Sequence, residues 1–435
     1  MLKLASTYSV RIPTAQYNRV FTNTVRLYRM AVDFFIDVYL KHKACFLSLS
    51  RQKEKVNEME ALTIKTQKRP VVPCDFDVSF HKFPSYYRRS AIAEAIGKAD
   101  SYLSNLANWE KNGKVGKKPS LPNAGYCYPA LYRTASYVRE DTLTASVKVF
   151  IRNTWDWITI PLRKCDVDYI LHHCSNRKEC VPTLQKRGKV WSLDFAFTTN
   201  VELHDIPVEN QTILAVDLGI NSACTCSAMK SDGTIIGRRF LHLPVEEDSL
   251  NHILNRIKKA QQHGARGMND RIAVLTAQFI IKTAEEFDAC TIVFEHLDTR
   301  KKKRGRGKQR LHHWKAQYVQ EMVENKAHHL GKRISRVNAW GTSRLAFDGS
   351  GRVSRGKEAE LKSYSLCRFP NEKGKVYNCD LNATYNIGAR YFIREILKSK
   401  PERVRLDIEA HVPECSKRST CTLSTLISLN AALAS

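Results

Sequence analysis

Two hydrophobic patterns divide the first half of the chain between strands and helices. Residues 1–20 alternate apolar and polar side chains, as in "YSVRIP", which predicts an extended strand. Residues 23–47 repeat apolar side chains at three- and four-residue spacing, which predicts a helix, and the Ala-rich residues 86–111 predict a second one. A basic Gly/Pro linker follows at 112–125, and short strands with turns occupy 128–204. The pattern predicts a strand, a helical insertion and an all-β region that forms a barrel.

The second half has a different order of elements. Its predicted strands are the mostly apolar runs "TILAVDLGI", "ACTCSAM", "TIIGRRFLHL", "CTIVFEHLD" and "ISRVNAW". Helical patterns occupy 248–286, 312–330 and 380–397, and the last is opened by Asp380, a favourable N-cap residue. Three hairpin strands, a helix, a strand, a helix and a strand are the order of a ribonuclease H-like fold. The sequence therefore predicts a mixed α/β protein.

Charge indicates the class of partner. Of the 435 residues, 70 are Lys or Arg and 43 are Asp or Glu, which gives a formal charge of +27. Such an excess is typical of a protein with a polyanionic partner. No run of about 18 apolar residues is present, so we expect no membrane span and favour nucleic acid over a membrane surface. The first residues lack a long apolar core, so we expect no secretory signal and a location in the cytoplasm.

Thirteen cysteines are scattered along the chain, which argues for free thiols or metal ligands rather than a disulfide framework. Cys224 and Cys226 lie two apart in a predicted strand, and we interpret them as core residues. The other close grouping contains both histidines and cysteines. It has no second pair at zinc-finger spacing nearby, so a metal site is not favoured. It consists of His172, His173, Cys174 and Cys180.

Three carboxylates stand at chemically unusual positions. Asp217 and Glu295 each interrupt an apolar strand, and Asp380 opens the last helix. Taken singly, they have structural interpretations as a turn cap, an ion-pair partner and a helix cap. In a ribonuclease H-like fold, the first and fourth strands are neighbours and the last helix packs beside them. The three acids would then converge on a site for Mg²⁺, or alternatively Mn²⁺, in which two ions support phosphodiester hydrolysis.

The segments around these acids carry a family resemblance. "AVDLGIN", "IVFEHLD" and "CDLNATYNIGARY" resemble the three RuvC motifs of the TnpB family, transposon-encoded RNA-guided DNA nucleases related to compact type V CRISPR effectors. The resemblance covers residues 210–397 and is weaker over the first 205. It implies that Asp217, Glu295 and Asp380 are catalytic metal ligands in a single RuvC site. It also implies a guide RNA and a target DNA as partners.

The resemblance also implies a domain layout. We expect the following arrangement: a discontinuous wedge β-barrel at 1–22 and 119–205, a helical recognition insertion at 23–118, a RuvC nuclease domain at 206–340 and 380–397, a degenerate zinc-ribbon-like insertion at 341–379, and a C-terminal tail at 398–435.

The chain departs from the family at the zinc ribbon. By spacing, the four cysteine positions of the family fall on Ala346, Gly349, Cys367 and Pro370, and Cys379 is not expected to be a ligand. A single thiolate cannot hold zinc, so we expect no structural zinc. The segment would instead be held by apolar contacts or become ordered on nucleic acid. The candidates for those contacts are Leu345, Phe347, Leu366 and Phe369.

Two basic segments are candidate phosphate contacts. The first is "RKKKRGRGKQR", which supplies Arg300, Lys301, Lys302, Lys303, Arg304, Arg306, Lys308 and Arg310. The second is the linker, which supplies Lys114, Lys117 and Lys118. The alternative is a solvated, mobile loop, which is the usual fate of a charge run. Phosphate contacts of this kind would bind nucleic acid without reading its sequence.

Three functions are consistent with the sequence. The first is an RNA-guided DNA endonuclease, encoded by a transposon or a CRISPR locus, that cuts with one RuvC site. The second is an RNA-guided DNA-binding protein with little or no cleavage, against which the intact acids argue but which the altered ribbon leaves open. The third is a conventional transposase or resolvase without RNA, against which the large N-terminal half argues.

Overall fold

The computed structural model describes residues 1–219, 223–256, 262–297, 315–361, 363, 365–417 and 419–434. They form two compact units, which we describe separately. The N-terminal unit comprises Ala5–Thr199, and the C-terminal unit comprises Met1–Leu4 with Asn200–Ser435.

The N-terminal half contains helices and two sheets. The helices are Thr14–Lys41 (α1), Lys43–Leu47 (α2), Gln52–Thr63 (α3), Phe76–Ser79 (α4), Ser85–Lys111 (α5) and Lys164–Cys174 (α6). The strands are Leu2–Ile12 (β1), Tyr137–Arg139 (β2), Thr144–Ile151 (β3), Thr154–Pro161 (β4), Lys178–Glu179 (β5), Thr183–Arg187 (β6) and Val190–Val201 (β7). One sheet has the order β1-β7-β5 with β6 also on β7, and the other has the order β2-β3-β4. Within the described residues these are separate sheets, so the predicted barrel stays a prediction.

Two helices of this half differ from the predictions. The first helix begins at Thr14, not at residue 23, because Phe21 and Val25 continue the spacing of buried residues from the turn after Pro13. It ends at Lys41, and a short helix follows the break at His42. Helix α6 lies where only strands were predicted, and it buries Val167, Ile170 and Cys174 on one face.

Helix α6 also explains the His/Cys grouping. Cys174 faces the core, whereas His172 and His173 are exposed on the outer face. The His173 ring stacks on Tyr169 with 4.0 Å between ring centroids. Opposite faces of one helix therefore separate the thiol from the two imidazoles.

The C-terminal half is built around a five-stranded sheet. The strands of this half are Thr212–Asp217 (β8), Cys224–Lys230 (β9), Ile235–Leu241 (β10), Thr291–His296 (β11), Arg333–Asn338 (β12), Ser354–Arg355 (β13), Leu366–Arg368 (β14) and Val376–Asn378 (β15). Its helices are Pro244–Arg256 (α7), Gln262–Glu286 (α8), Ala316–His329 (α9), Cys379–Ser399 (α10), Glu402–His411 (α11) and Leu423–Ala434 (α12). The large sheet has the order β10-β9-β8-β11-β12, and β13-β14-β15 form a small second sheet.

Alternation along β8 explains why helices cover both faces of the sheet. Ile213 and Ala215 belong to the core shared with α10, whereas Leu214 and Val216 belong to the core shared with α8 and α9. Burying such a side chain contributes about 1.5–3 kcal/mol, so a strand that is apolar on both sides is stable only in the centre of the layer. Cys224 and Cys226 are fully buried in the second of these cores, as predicted.

The chain after α10 packs back on the C-terminal unit. Helix α12 contacts α10, and Leu423, Leu426 and Leu429 join the core beneath it. No helix in the described part of the chain is long and apolar enough to cross a membrane.

Candidate active site

Two neighbouring parallel strands bring the first two acids to one edge of the sheet. Strands β8 and β11 pair in parallel, with Val216 opposite Phe294 as the last paired residues. Asp217 and Glu295 follow directly, so both side chains leave the sheet at the same level. The four residues before each acid are buried, and the two acids are half-buried. The register places the two residues at corresponding positions of neighbouring strands.

Helix α10 brings the third acid to this edge. Its N-cap is Asn378, whose side-chain oxygen accepts hydrogen bonds from the Asp380 and Leu381 amides, each at 2.9 Å. This corrects the prediction that Asp380 caps the helix, because the capping oxygen comes two residues earlier. The helix approaches the sheet closely at Gly388, where an added Cβ would lie 2.9 Å from Met229 and 3.4 Å from Ala215.

Glu295 and Asp380 lie close enough to Asp217 for their charges to act on it. The pKa of the Asp217 carboxyl is raised well above its ordinary value, first by burial and then by the negative charges of Glu295 and Asp380. The Arg355 guanidinium of β13 opposes this rise in pKa. Across the described residues, however, no three His, Cys, Asp or Glu side chains form a group close enough to hold a metal ion. The acids therefore lie within electrostatic reach without forming a closed coordination shell.

Glu295 is held from two sides. Its carboxylate accepts a hydrogen bond from the Thr342 hydroxyl, and its backbone carbonyl accepts one from the Gln320 amide at 3.0 Å. Burial raises the pKa of the Glu295 carboxyl, whereas the Thr342 hydrogen bond and the nearby charge of Arg390 act to lower it. The Glu295 carboxylate is therefore oriented by partners on other elements.

The Thr342 segment is itself tied to α10. The side-chain amides of Asn382 and Asn386 both donate to the Leu345 carbonyl, at 2.9 and 2.8 Å, and the Asn386 amide also donates to the Thr342 carbonyl at 2.8 Å. One turn further, Arg390 donates to the carbonyls of Asn338 and Trp340 at 2.7 and 2.9 Å. The helix that carries Asp380 thus fixes the segment that orients Glu295.

Sequence reasoning missed these supporting residues, although a signal was present. Asn382, Asn386 and Arg390 lie four residues apart along a helix whose other positions are mostly apolar, so they form one polar stripe. Buried polar side chains need partners, and such a stripe indicates backbone groups to be bound. The sequence does not reveal which backbone groups these are.

The zinc-ribbon-like segment is held by apolar contacts in the structure. Ala346, Cys367 and Cys379 join a buried cluster with Phe369, against which Phe347 packs. The Phe347 and Phe369 rings are edge to face, with 5.3 Å between centroids. This agrees with the expected role of both phenylalanines, whereas Leu345 and Leu366 are half-buried. The absence of zinc stays a prediction.

The structure describes only some of the candidate phosphate contacts. Lys114, Lys117 and Lys118 lie on the exposed linker after α5. The other candidates lie outside the described residues, and they are Arg300, Lys301, Lys302, Lys303, Arg304, Arg306, Lys308 and Arg310.

The structure was compared with solved structures. The chain is similar to Cas12f1 in its complex with sgRNA and target DNA, at 15% identity and a TM-score of 0.50 over 85% of this chain and 81% of that chain. It is also similar to Alicyclobacillus acidoterrestris C2c1 in complex with single-guide RNA, at 10% identity and a TM-score of 0.38 over 86% and 70% of the two chains. The first similarity shows that the fold is the mixed α/β fold of a compact type V effector.

Sequence comparison identifies the family. The sequence model of the Aq_aa04 family matches residues 6–151. The uncharacterized protein aq_aa04 of Aquifex aeolicus (strain VF5) is 38% identical over 125 residues, which cover 25% of this chain and 69% of that protein. The chain belongs to the Aq_aa04 family. The matched region lies in the N-terminal half and contains none of the three acids.

Proposed function

We propose that the protein is an RNA-guided DNA endonuclease with a single Mg²⁺-dependent site formed by Asp217, Glu295 and Asp380. The observation that carries this proposal is the register of β8 on β11, which brings Asp217 and Glu295 to one edge beside Asp380. The strand order is β10-β9-β8-β11-β12, in which β8, β11 and β12 are parallel and β9 runs antiparallel to its neighbours β8 and β10. This arrangement supports a ribonuclease H-like RuvC domain.

The donor chemistry fits the proposed metal. Carboxylate oxygens are the ligands that Mg²⁺ prefers, and three of them from separate elements leave coordination positions open for a phosphate and water. Mg²⁺ would supply an activated water and charge stabilisation of the leaving oxygen. The raised pKa of Asp217 indicates that its ionised form lacks full compensation in the protein alone. Ionisation of Asp217 and metal binding should therefore be coupled.

The other residues of the site have supporting roles in this proposal. The Thr342 hydroxyl orients the Glu295 carboxylate, and Arg390 fixes the backbone from which Thr342 projects. Arg355 keeps a positive charge near Asp217, where an incoming phosphodiester would need one. Each of these groups binds or orients, and none of them needs to accept a proton.

We propose a guide RNA and a target DNA as the partners. The charge of +27 supports polyanionic partners, and the Cas12f1 chain of like fold was solved with sgRNA and target DNA. The three motifs support a TnpB-type, transposon-encoded nuclease, with a CRISPR effector as the other origin. Genes that flank the coding sequence would distinguish the two.

A second candidate function is RNA-guided DNA binding without cleavage. It is favoured by one observation, namely that no three potential ligands in the described chain are close enough to hold a metal. In that case the acids would stay apart when Mg²⁺ is added.

The deciding experiment uses the RNA that copurifies with the protein. We would sequence it, build a DNA target complementary to its guide segment, and add the complex with Mg²⁺ or with EDTA. Cleavage only with Mg²⁺ supports the nuclease, and binding of the target without cleavage supports the second candidate. Absence of any copurified RNA, together with cleavage of branched DNA, would point to a resolvase-like protein instead.

A further inference from the structure

An open cavity of about 430 Å³ lies in the N-terminal unit, far in sequence from the acids. Helix α1 forms one wall, and Tyr128 and the β6–β7 hairpin form the others. Three cations line it, namely Arg26, Arg29 and Lys186, together with the exposed Met30 and the buried Trp191. A volume of this size lies in the range of pockets that bind small ligands.

The cations of this pocket are not neutralised by neighbouring acids. Arg29 donates to the Cys127 carbonyl at 3.0 Å, and Lys186 donates to the Asn18 amide oxygen at 3.1 Å. Arg26 is exposed, and no ion pair of these three side chains occurs within the described ranges. The lining contains one acid, Asp33, which accepts a hydrogen bond from the Ala124 amide at 2.7 Å. The pocket therefore has an excess of two positive charges.

The walls of the pocket are held in place before any ligand arrives. The Arg29 guanidinium lies over the Tyr128 ring, 4.8 Å from its centroid, and the Tyr128 hydroxyl donates to the Lys186 carbonyl at 3.0 Å. The Trp191 indole donates to the same Asn18 oxygen that Lys186 contacts, at 2.9 Å. A site whose side chains are already positioned loses less entropy on binding.

We infer that this pocket binds one nucleotide of a single-stranded segment of nucleic acid. Its phosphate would contact Arg26 and Lys186, and its base would lie against Met30 and the edge of Tyr128. An excess of cations beside an apolar surface matches a ligand that is anionic at one end and flat and apolar at the other. A strand is favoured over a free nucleotide because the pocket is open and the whole chain carries +27.

This inference rests on the proposed function only for the class of partner, since it requires neither the acids nor cleavage. Its failure is therefore distinguishable from that of the nuclease proposal. A variant at Asp217 that no longer cuts DNA should still bind the nucleotide in this pocket.

The test is photocrosslinking of the full-length chain, stripped of bound nucleic acid in high salt. The probes are short uridine and thymidine oligonucleotides that carry 5-iodouracil, with 5-iodouridine monophosphate as the free nucleotide. We expect either oligonucleotide to crosslink to the peptides that contain Met30 or Tyr128, and which one does so distinguishes RNA from DNA. Crosslinking by the free nucleotide alone, or at other peptides only, would overturn the inference.

Matched variants test the role of charge. Arg26→Gln and Lys186→Gln should each reduce crosslinking at these peptides about tenfold, which is the typical effect of losing one charged hydrogen bond. The control is Lys41→Gln, which removes an exposed cation from the same helix about 22 Å further along its axis. Because Arg26 is exposed, its variant should melt like the parent. Equal crosslinking in the parent and all three variants would contradict the assignment.

Discussion

The Thr342 hydroxyl donates a hydrogen bond to the Glu295 carboxylate. This contact links the turn after β12 to the end of β11, and Asn386 of α10 holds the same turn through the Thr342 carbonyl. The proposed site therefore depends on a residue at the start of the zinc-ribbon-like insertion.

The first prediction concerns the hydroxyl. Thr342→Val keeps the shape but removes the donor, so we expect cleavage to fall about tenfold or more, because a hydrogen bond to a charged group is worth about 1.5–3 kcal/mol. Thr342→Ser should recover most of the activity. The measurement is kcat/KM for cleavage with the bound RNA unchanged. Equal activity of the valine variant and the parent would show that the contact does not orient Glu295.

The second prediction concerns Arg390, which is buried and donates to three backbone carbonyls, including that of Cys421 at 3.0 Å. Arg390→Met leaves these carbonyls without their donor, and we expect the free energy of unfolding to fall by about 3 kcal/mol or more. Urea denaturation measures the effect. Arg403→Gln, at an exposed position of α11, is the control and should stay within about 0.5 kcal/mol of the parent. A small effect of Arg390→Met would show that water replaces the guanidinium.

Part of this site was predictable from the sequence, and part was not. The acids stood out because a charge in an apolar strand such as β8 or β11 needs compensation, and the order of elements placed them together. The partner of Glu295 was not predictable, because Thr342 is 47 residues away and meets it only through tertiary packing. The position of the helix cap at Asn378 was missed because Asn and Asp are both good cap residues and lie two positions apart.

The fold, like the site, was predictable from the sequence only in part. Strands that alternate between two cores, such as β8, were predicted correctly because both of their faces are apolar. Helix α6 was missed because its buried residues, Val167, Ile170 and Cys174, form only a short amphipathic pattern between strands. Short patterns of this kind are ambiguous until the neighbouring elements are known.

The third prediction concerns pH. The pKa of Asp217 lies above its ordinary value of 3.8, so the folded protein retains a proton that the unfolded chain has lost. The stability that this bound proton gives to the folded protein is fully present below about pH 3.8. It is lost as the pH rises through the folded-state pKa of Asp217. In EDTA, Asp217→Asn should therefore gain stability over the parent as the pH rises. Thermal melting between pH 4 and pH 8 measures this difference.

The control for this prediction is Asp248→Asn, at an exposed position of α7. Its melting temperature should follow that of the parent at every pH. Added Mg²⁺ should raise the melting temperature of the parent at high pH more than that of Asp217→Asn. A constant difference between Asp217→Asn and the parent across the pH range would contradict the raised pKa.

The fourth prediction is that the protein purifies with a structured RNA. The charge of +27 causes self-repulsion in the free chain, and a bound polyanion relieves it. Treatment with RNase should therefore lower both the ratio of absorbance at 260 and 280 nm and the melting temperature. A preparation free of nucleic acid with an unchanged melting temperature would count against an RNA-guided protein.

The central claim is that Asp217, Glu295 and Asp380 form the Mg²⁺ site that cuts DNA, and Asp217→Asn tests it most directly. This change keeps the shape of the side chain and removes the charge of a carboxyl whose pKa is raised by burial and by the neighbouring acids, so folding and RNA binding should survive. Loss of the metal would remove several kcal/mol of transition-state stabilisation, which is roughly a thousandfold or more in rate. The measurement is the rate of cleavage of a guide-matched DNA in Mg²⁺ by the parent, Asp217→Asn and Asp248→Asn. We predict that only Asp217→Asn loses cleavage while it still binds the target, and cleavage by Asp217→Asn at the rate of the parent would contradict the claim.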